Sequence, residues 1–109
     1  MDAREIARRL GSLSIEERVQ IINSLLDASP AGQEIMAIAG ITGLGAPAIH
    51  KQLEALVGAE LVTAKSLGSE KEYYLNTKIL RDLFDYMYHN FGPGFKHEPK
   101  PDESKAEHE

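Results

Sequence analysis

The chain has 109 residues and a mass of 12.0 kDa, room for one domain with a modest core. With 42% hydrophobic and 27% charged residues it reads as globular, and its lack of cysteine excludes disulfides, thiolate metal ligands and thiol redox chemistry. The formal net charge is −5, of which residues 93–109 hold −2 and the remainder −3, so the sequence carries no strong basic patch. No apolar run approaches the roughly 20 residues that cross a bilayer. The acidic, arginine-containing start is no secretory signal, so no membrane partner is expected and the cytoplasm is the expected location.

Residues 2–10 place Ala3, Ile6, Ala7 and Leu10 on one face of an amphipathic helix, which Gly11 should stop. Ser14 and Glu17 have the spacing of a capping box. Ile15, Val19, Ile22, Leu25 and Leu26 then continue a second helix to about Asp27. Ser29 and Pro30 read as N-cap and first position of a third helix, with Ile35, Met36, Ile38 and Ala39 inside and Gly40 at its end.

Residues 42–62 are the stretch around which the rest is organised. Gly43, Gly45 and Pro47 punctuate its start, Ile49, Leu53, Leu56 and Val57 recur at helical spacing, and Gly58 closes a fourth helix over about 46–57. Its other face carries Ala46, Ala48, His50, Lys51, Gln52 and Glu54, short or polar side chains suited to a groove. Residues 61–66 and 70–75 follow as a β-hairpin around Leu67, Gly68 and Ser69. Asn76 or Thr77 can cap a fifth helix, whose apolar face is wide: Ile79, Leu80, Leu83, Phe84, Met87, Tyr88 and Phe91. Residues 93–109 are rich in proline and charge and are expected to be a disordered tail after a 1–92 folded domain.

The expected fold is therefore mostly α with one small β-hairpin, in the order helix, helix, helix, helix, hairpin, helix. A short turn at 40–45 joins the third and fourth helices, which makes a helix-turn-helix followed by a wing. Both parts have a docking logic on double-stranded DNA: the second helix enters the major groove and the wing reaches the backbone.

The sequence at this point resembles the ArsR/SmtB family of winged helix-turn-helix transcriptional repressors. The resemblance runs from about Arg18 to Leu75. It is carried best by LGAPAIHKQLEALVGAELV at 44–62, similar to that family's recognition helix and the start of its wing, and by YYL at 73–75, similar to the wing's return strand. It implies a homodimer joined through the first and last helices, with Ile6, Leu10, Ile79, Leu80, Leu83, Phe84, Met87 and Tyr88 at the interface. It also implies operator binding that an inducer releases; the inducer is unknown. The cysteine pair of arsenic-type members is replaced here by Met36 and Ile38.

The expected DNA contacts are His50, Lys51 and Gln52, with Lys51 donating to phosphate and Gln52 able to pair with adenine. Ala46 and Ala48 allow close approach, and Lys65, Ser66, Ser69 and Lys71 extend the surface along the wing. Zinc-type members use Asp and His ligands on the last helix. Asp82, Asp85 and His89, with the tail residues His97 and His108, are the corresponding weak candidates for a transition metal, and their spacing is incomplete. No cofactor is expected. No paired carboxylates, Ser/His/Asp set or phosphate-binding glycine loop occurs in the sequence, so no enzyme activity is expected. Two other readings remain: a winged helix that binds protein, suggested by Glu54, Glu60, Glu70 and Glu72, and a repressor that responds to a metal through Asp and His.

Overall fold

The computed structural model describes residues 1–92, so the proposed tail lies outside the described residues. Helix α1 spans Ala3–Ser12. Its start is a capping box that the sequence reading missed. Asp2 Oδ1 accepts from the Glu5 amide at 2.9 Å, and Glu5 Oε1 accepts from the Asp2 amide at 3.0 Å. Gly11 does not stop this helix but lies in its last turn.

Helix α2 spans Glu16–Ala28, with Ile15 at the N-cap and no side-chain cap. The expected box at Ser14 and Glu17 does not form, because the Ser14 hydroxyl donates backward to the Gly11 carbonyl at 2.6 Å. The third helix also starts later than expected. Ser29 ends α2, its amide donating to Leu25 and Leu26 carbonyls, and helix α3 begins only at Ile35 and runs as Ile35–Thr42. Gly40 lies within it. Gly43 terminates it with φ 79°, a left-handed conformation that favours glycine.

The delay has a physical reason in a distant strand. Gln33 and Tyr73 exchange backbone hydrogen bonds of 2.9 and 2.8 Å, so this segment is extended against the hairpin. Gly32 permits the approach, since a Cβ there would lie 2.9 Å from the Tyr73 carbonyl oxygen and 2.8 Å from the Tyr74 ring. Ser24, buried on α2, donates to Gln33 Oε1 at 2.6 Å and fixes the segment from the other side.

Helix α4 spans Ala46–Gly58, close to the range the sequence suggests, with Pro47 in its first turn. Strands β1 (Val62–Leu67) and β2 (Glu70–Leu75) pair antiparallel from Val62↔Leu75 to Leu67↔Glu70. The turn is therefore two residues, Gly68 and Ser69, shorter than the expected three, with Gly68 at φ 65°. Helix α5 spans Thr77–Phe91, and Asn76 caps it by accepting from the Ile79 amide at 3.3 Å.

One core joins α2, α3, α4, the hairpin and α5. It is formed by Ile21 and Leu25 of α2, Ile38 of α3, Ile49, Leu53 and Leu56 of α4, Leu61, Val62, Tyr73 and Leu75 around the hairpin, and Leu80 of α5. Met36 departs from its expected place. It is 72% exposed, because the later start of α3 turns Ile38 alone fully inward.

Candidate nucleic-acid interface

Helix α4 owes its position to one apolar face. Ile49, Leu53 and Leu56 are at most 1% exposed, and each such burial stabilises by roughly 1.5–3 kcal/mol. That seating leaves Ala46, Ala48, His50 and Lys51 exposed along the opposite side, as a reading helix requires. No side chain caps the α4 N-terminus at Gly45, so its first amides meet no side-chain acceptor there. Leu44 packs against the core just before it.

Gln52 is placed differently from its neighbours. Its Oε1 accepts from Arg18 Nε at 2.8 Å, and Arg18 also donates to the Ser12 carbonyl at 3.3 Å. The side chain is half-buried and its carbonyl is engaged between α2 and α4. The amide oxygen expected to meet adenine thus already accepts one hydrogen bond within the protein. His50 faces Glu54 one turn on, with Nδ1 3.9 Å from Oε2.

The strand pleat sorts the wing residues onto two faces. Lys71 and Ser66 are cross-strand partners, and Lys71, Ala64 and Tyr73 line a hollow with His50, Leu53, Glu54 and Val57 of α4. A second hollow brings His50, Lys71 and Ser69 together with Glu34, Ile35 and Met36. Lys65 lies on the other face, opposite Glu72 and 5.3 Å from the centre of the Tyr74 ring. Tyr74 donates to Glu72, and this hydrogen bond, with partial burial and the carboxylate charge, raises the phenol above its ordinary pKa. The structure therefore gathers His50, Lys71 and Ser69 beside α4 and separates Lys65 from them. Met36 is an exposed residue of this surface that the apolar pattern of its helix concealed.

The expected metal candidates do not converge. Asp82 pairs with Lys78 at 2.8 Å, which lowers its pKa below the ordinary carboxylate value. His89 Nδ1 lies 2.8 Å from the backbone carbonyl of Asp85, not its carboxylate. Among the described residues no group of three or more His, Asp or Glu is gathered as a metal would need, and His97 and His108 lie outside them.

The last helix divides its apolar residues. Leu80 and Leu83 are buried within the chain, as is Ile6 on α1; Leu10, Ile79 and Met87 are half-buried. Phe84 and Tyr88 remain 57% and 72% exposed. No described helix is long and apolar enough to cross a membrane.

No family model matches the sequence, and no curated protein matches it. Solved structures do. An ArsR-like transcriptional regulator from Rhodococcus sp. RHA1 superposes with a TM-score of 0.70 at 25% identity, covering 85% of this chain and 84% of that one. The fold here is that of the ArsR-family winged helices. Two further structures share the ArsR-like fold at 22% identity. A homodimeric winged helix-turn-helix DNA-binding domain of a possible ArsR-family regulator from Mycobacterium bovis matches 89% of this chain and 88% of its own, with a TM-score of 0.65. The transcriptional repressor BigR from Xylella fastidiosa matches 82% and 88%, with a TM-score of 0.64.

Proposed function

We propose that this ArsR-like chain is a homodimeric, sequence-specific DNA-binding transcriptional regulator, a repressor, that reads an inverted-repeat operator with α4 and the wing. The observation that carries this reading is the seating of α4. Ile49, Leu53 and Leu56 of its inner face are buried and Val57 at its far end is 36% exposed, while Ala46, Ala48, His50 and Lys51 stay open, His50 beside Lys71 and Ser69 of the hairpin. Lys51 and Lys71 are the phosphate donors, and His50 is the polar side chain of α4 free to approach base edges.

The dimer reading is supported by the exposed apolar residues of α5, Phe84, Tyr88 and Phe91, which an isolated chain would leave in water. An open groove between α2 and α5, lined by Ile22, Leu26, Leu75, Leu80 and Phe84, continues that surface. A two-fold pairing through α1 and α5 would set the two α4 helices in successive major grooves, roughly 34 Å apart.

A second reading, binding to protein in place of DNA, is favoured by the carboxylates Glu54, Glu70 and Glu72 that flank the cations. Selection of duplexes from a randomised pool, followed by anisotropy titration over a range of salt, separates the two. The expected result is enrichment of an inverted repeat and an affinity that falls linearly in log–log form with salt. A folded protein that enriches no sequence at low salt overturns the DNA reading.

A further inference from the structure

Four successive carbonyls leave α4 and lead into β1, and each is held from outside. Arg8 Nη1 donates to Gly58 O at 2.9 Å and Arg9 Nε to Ala59 O at 3.1 Å. Asn76 Nδ2 donates to Glu60 O at 2.9 Å, and the Asn76 amide to Leu61 O at 2.9 Å. The donors come from two places only: α1, and the N-cap of α5. These are the two helices through which the proposed dimer forms.

The chemistry of this junction is specific. Arg9 is 3% exposed and is the buried charged side chain among the described residues; Glu60 Oε1 accepts from its Nη2 and lies 3.7 Å from Arg8 Nη2. A buried guanidinium holds its planar fork of donors in fixed directions and is little screened by salt. Its positive charge also lies at the C-terminal end of α4, where the helix dipole favours it. Glu60 itself adopts φ 66°, a left-handed conformation costly for a side-chain-bearing residue, and the contacts on both sides of it hold it there. Asn76 has a double role, since its Oδ1 caps α5 while its Nδ2 grips Glu60.

We infer that residues 58–61 are a relay that makes the attitude of α4 follow the arrangement of α1 and α5, with Arg9 and Asn76 as positioning residues for DNA reading. The inference rests on the proposed DNA function. A shift of α1 pulls on Gly58 and Ala59, a shift of α5 pulls on Glu60 and Leu61, and the rigid helix α4 transmits either to its open end. Two α4 helices in a dimer are thereby held at one spacing.

The test uses the full chain and its Arg9→Met, Arg9→Lys and Asn76→Asp variants. Duplexes selected by the wild type are rebuilt with their half-sites one base pair closer or farther apart. Arg9→Met and Asn76→Asp are expected to lower the discrimination between spacings on the order of 5-fold, with dimer mass and affinity for a single half-site unchanged. Arg9→Lys, which keeps the charge but not the planar fork of donors, is expected to recover part of it. Amide exchange without DNA is expected to quicken at residues 57–61 in both main variants. Asn76→Asp keeps the α5 cap and turns the grip on the Glu60 carbonyl into a repulsion, so it decides alone if Arg9→Met fails to fold. Unchanged spacing preference, with or without faster exchange, makes these residues merely structural and overturns the inference. If the wild type selects no duplex, the DNA function fails on its own, and unchanged exchange would then overturn the relay separately.

Discussion

The two ends of α4 are built in opposite ways. At its N-terminal end no side chain caps Gly45, and Ala46, Ala48, His50 and Lys51 face outward. At its C-terminal end every carbonyl from Gly58 to Leu61 has a donor from α1 or from Asn76. A helix that must meet another surface leaves groups unpaired where contact occurs, and its rigidity has to come from elsewhere. Here the buried inner face and the anchored far end supply it.

The largest break in this contrast is expected from Leu53→Ala. Leu53 is 1% exposed in the centre of the inner face, so the loss should be about 2–5 kcal/mol by chemical denaturation; a loss below about 1 kcal/mol would mean that α4 is not seated as described. Next comes the anchored end. Arg9→Met leaves the Ala59 carbonyl and the Glu60 carboxylate without their donor, which should cost about 1–3 kcal/mol in the same measurement.

Gln52→Ala is expected to sharpen the boundary between the two ends. Because Gln52 accepts from Arg18, its removal should lower stability by about 1 kcal/mol. Base preference in the selection should stay unchanged, and a changed preference at one operator position would show that Gln52 reads a base. Lys51→Ala belongs wholly to the open end. Stability should move within about 0.5 kcal/mol, while the slope of affinity against salt should fall by about 1.

The smallest expected effect is at Lys78 and Asp82 on α5. The ion pair lowers the Asp82 pKa, so its contribution to stability is present above the pKa of the unfolded chain and fades as pH falls through the lowered folded value. Lys78→Met should raise the Asp82 pKa toward the ordinary carboxylate value in a carboxyl-carbon NMR titration, with little change in the denaturation midpoint near neutral pH. An unmoved titration would show that Lys78 is not the cause.

Where the sequence was readable, the signal was local. Gly45 and Pro47 start α4, apolar residues four and three apart mark its buried side, and alternation around Gly68 marks the hairpin. The box at Asp2 and Glu5 was equally local and could have been found by the same spacing rule that suggested Ser14 and Glu17. Ser14 misled because its hydroxyl has a competing acceptor in the preceding helix, Gly11 O. The start of α3 misled for a different reason: residues 33 and 73 pair across 40 positions, and no short window contains both.

The same division holds for the candidate site. The exposure of His50 and Lys51 follows from helical period alone, given Ile49 and Leu53 on the inner face. The capture of Gln52 by Arg18, the separation of Lys65 from Lys71 and the exposure of Met36 do not follow from it. They depend on which helix packs beside which, and on which face of the hairpin meets α4.

The sequence by itself determined the order of elements, the inner face of α4 and the place of the wing, because period, caps and turn residues act within a few positions. Only the tertiary structure decided where the polar groups of α4 find partners. Arg8 and Arg9 lie about fifty residues from the carbonyls they hold, and Asn76 sixteen from Glu60. Hydrogen-bond partners at such distances are chosen by the packing of whole elements, which no local pattern records.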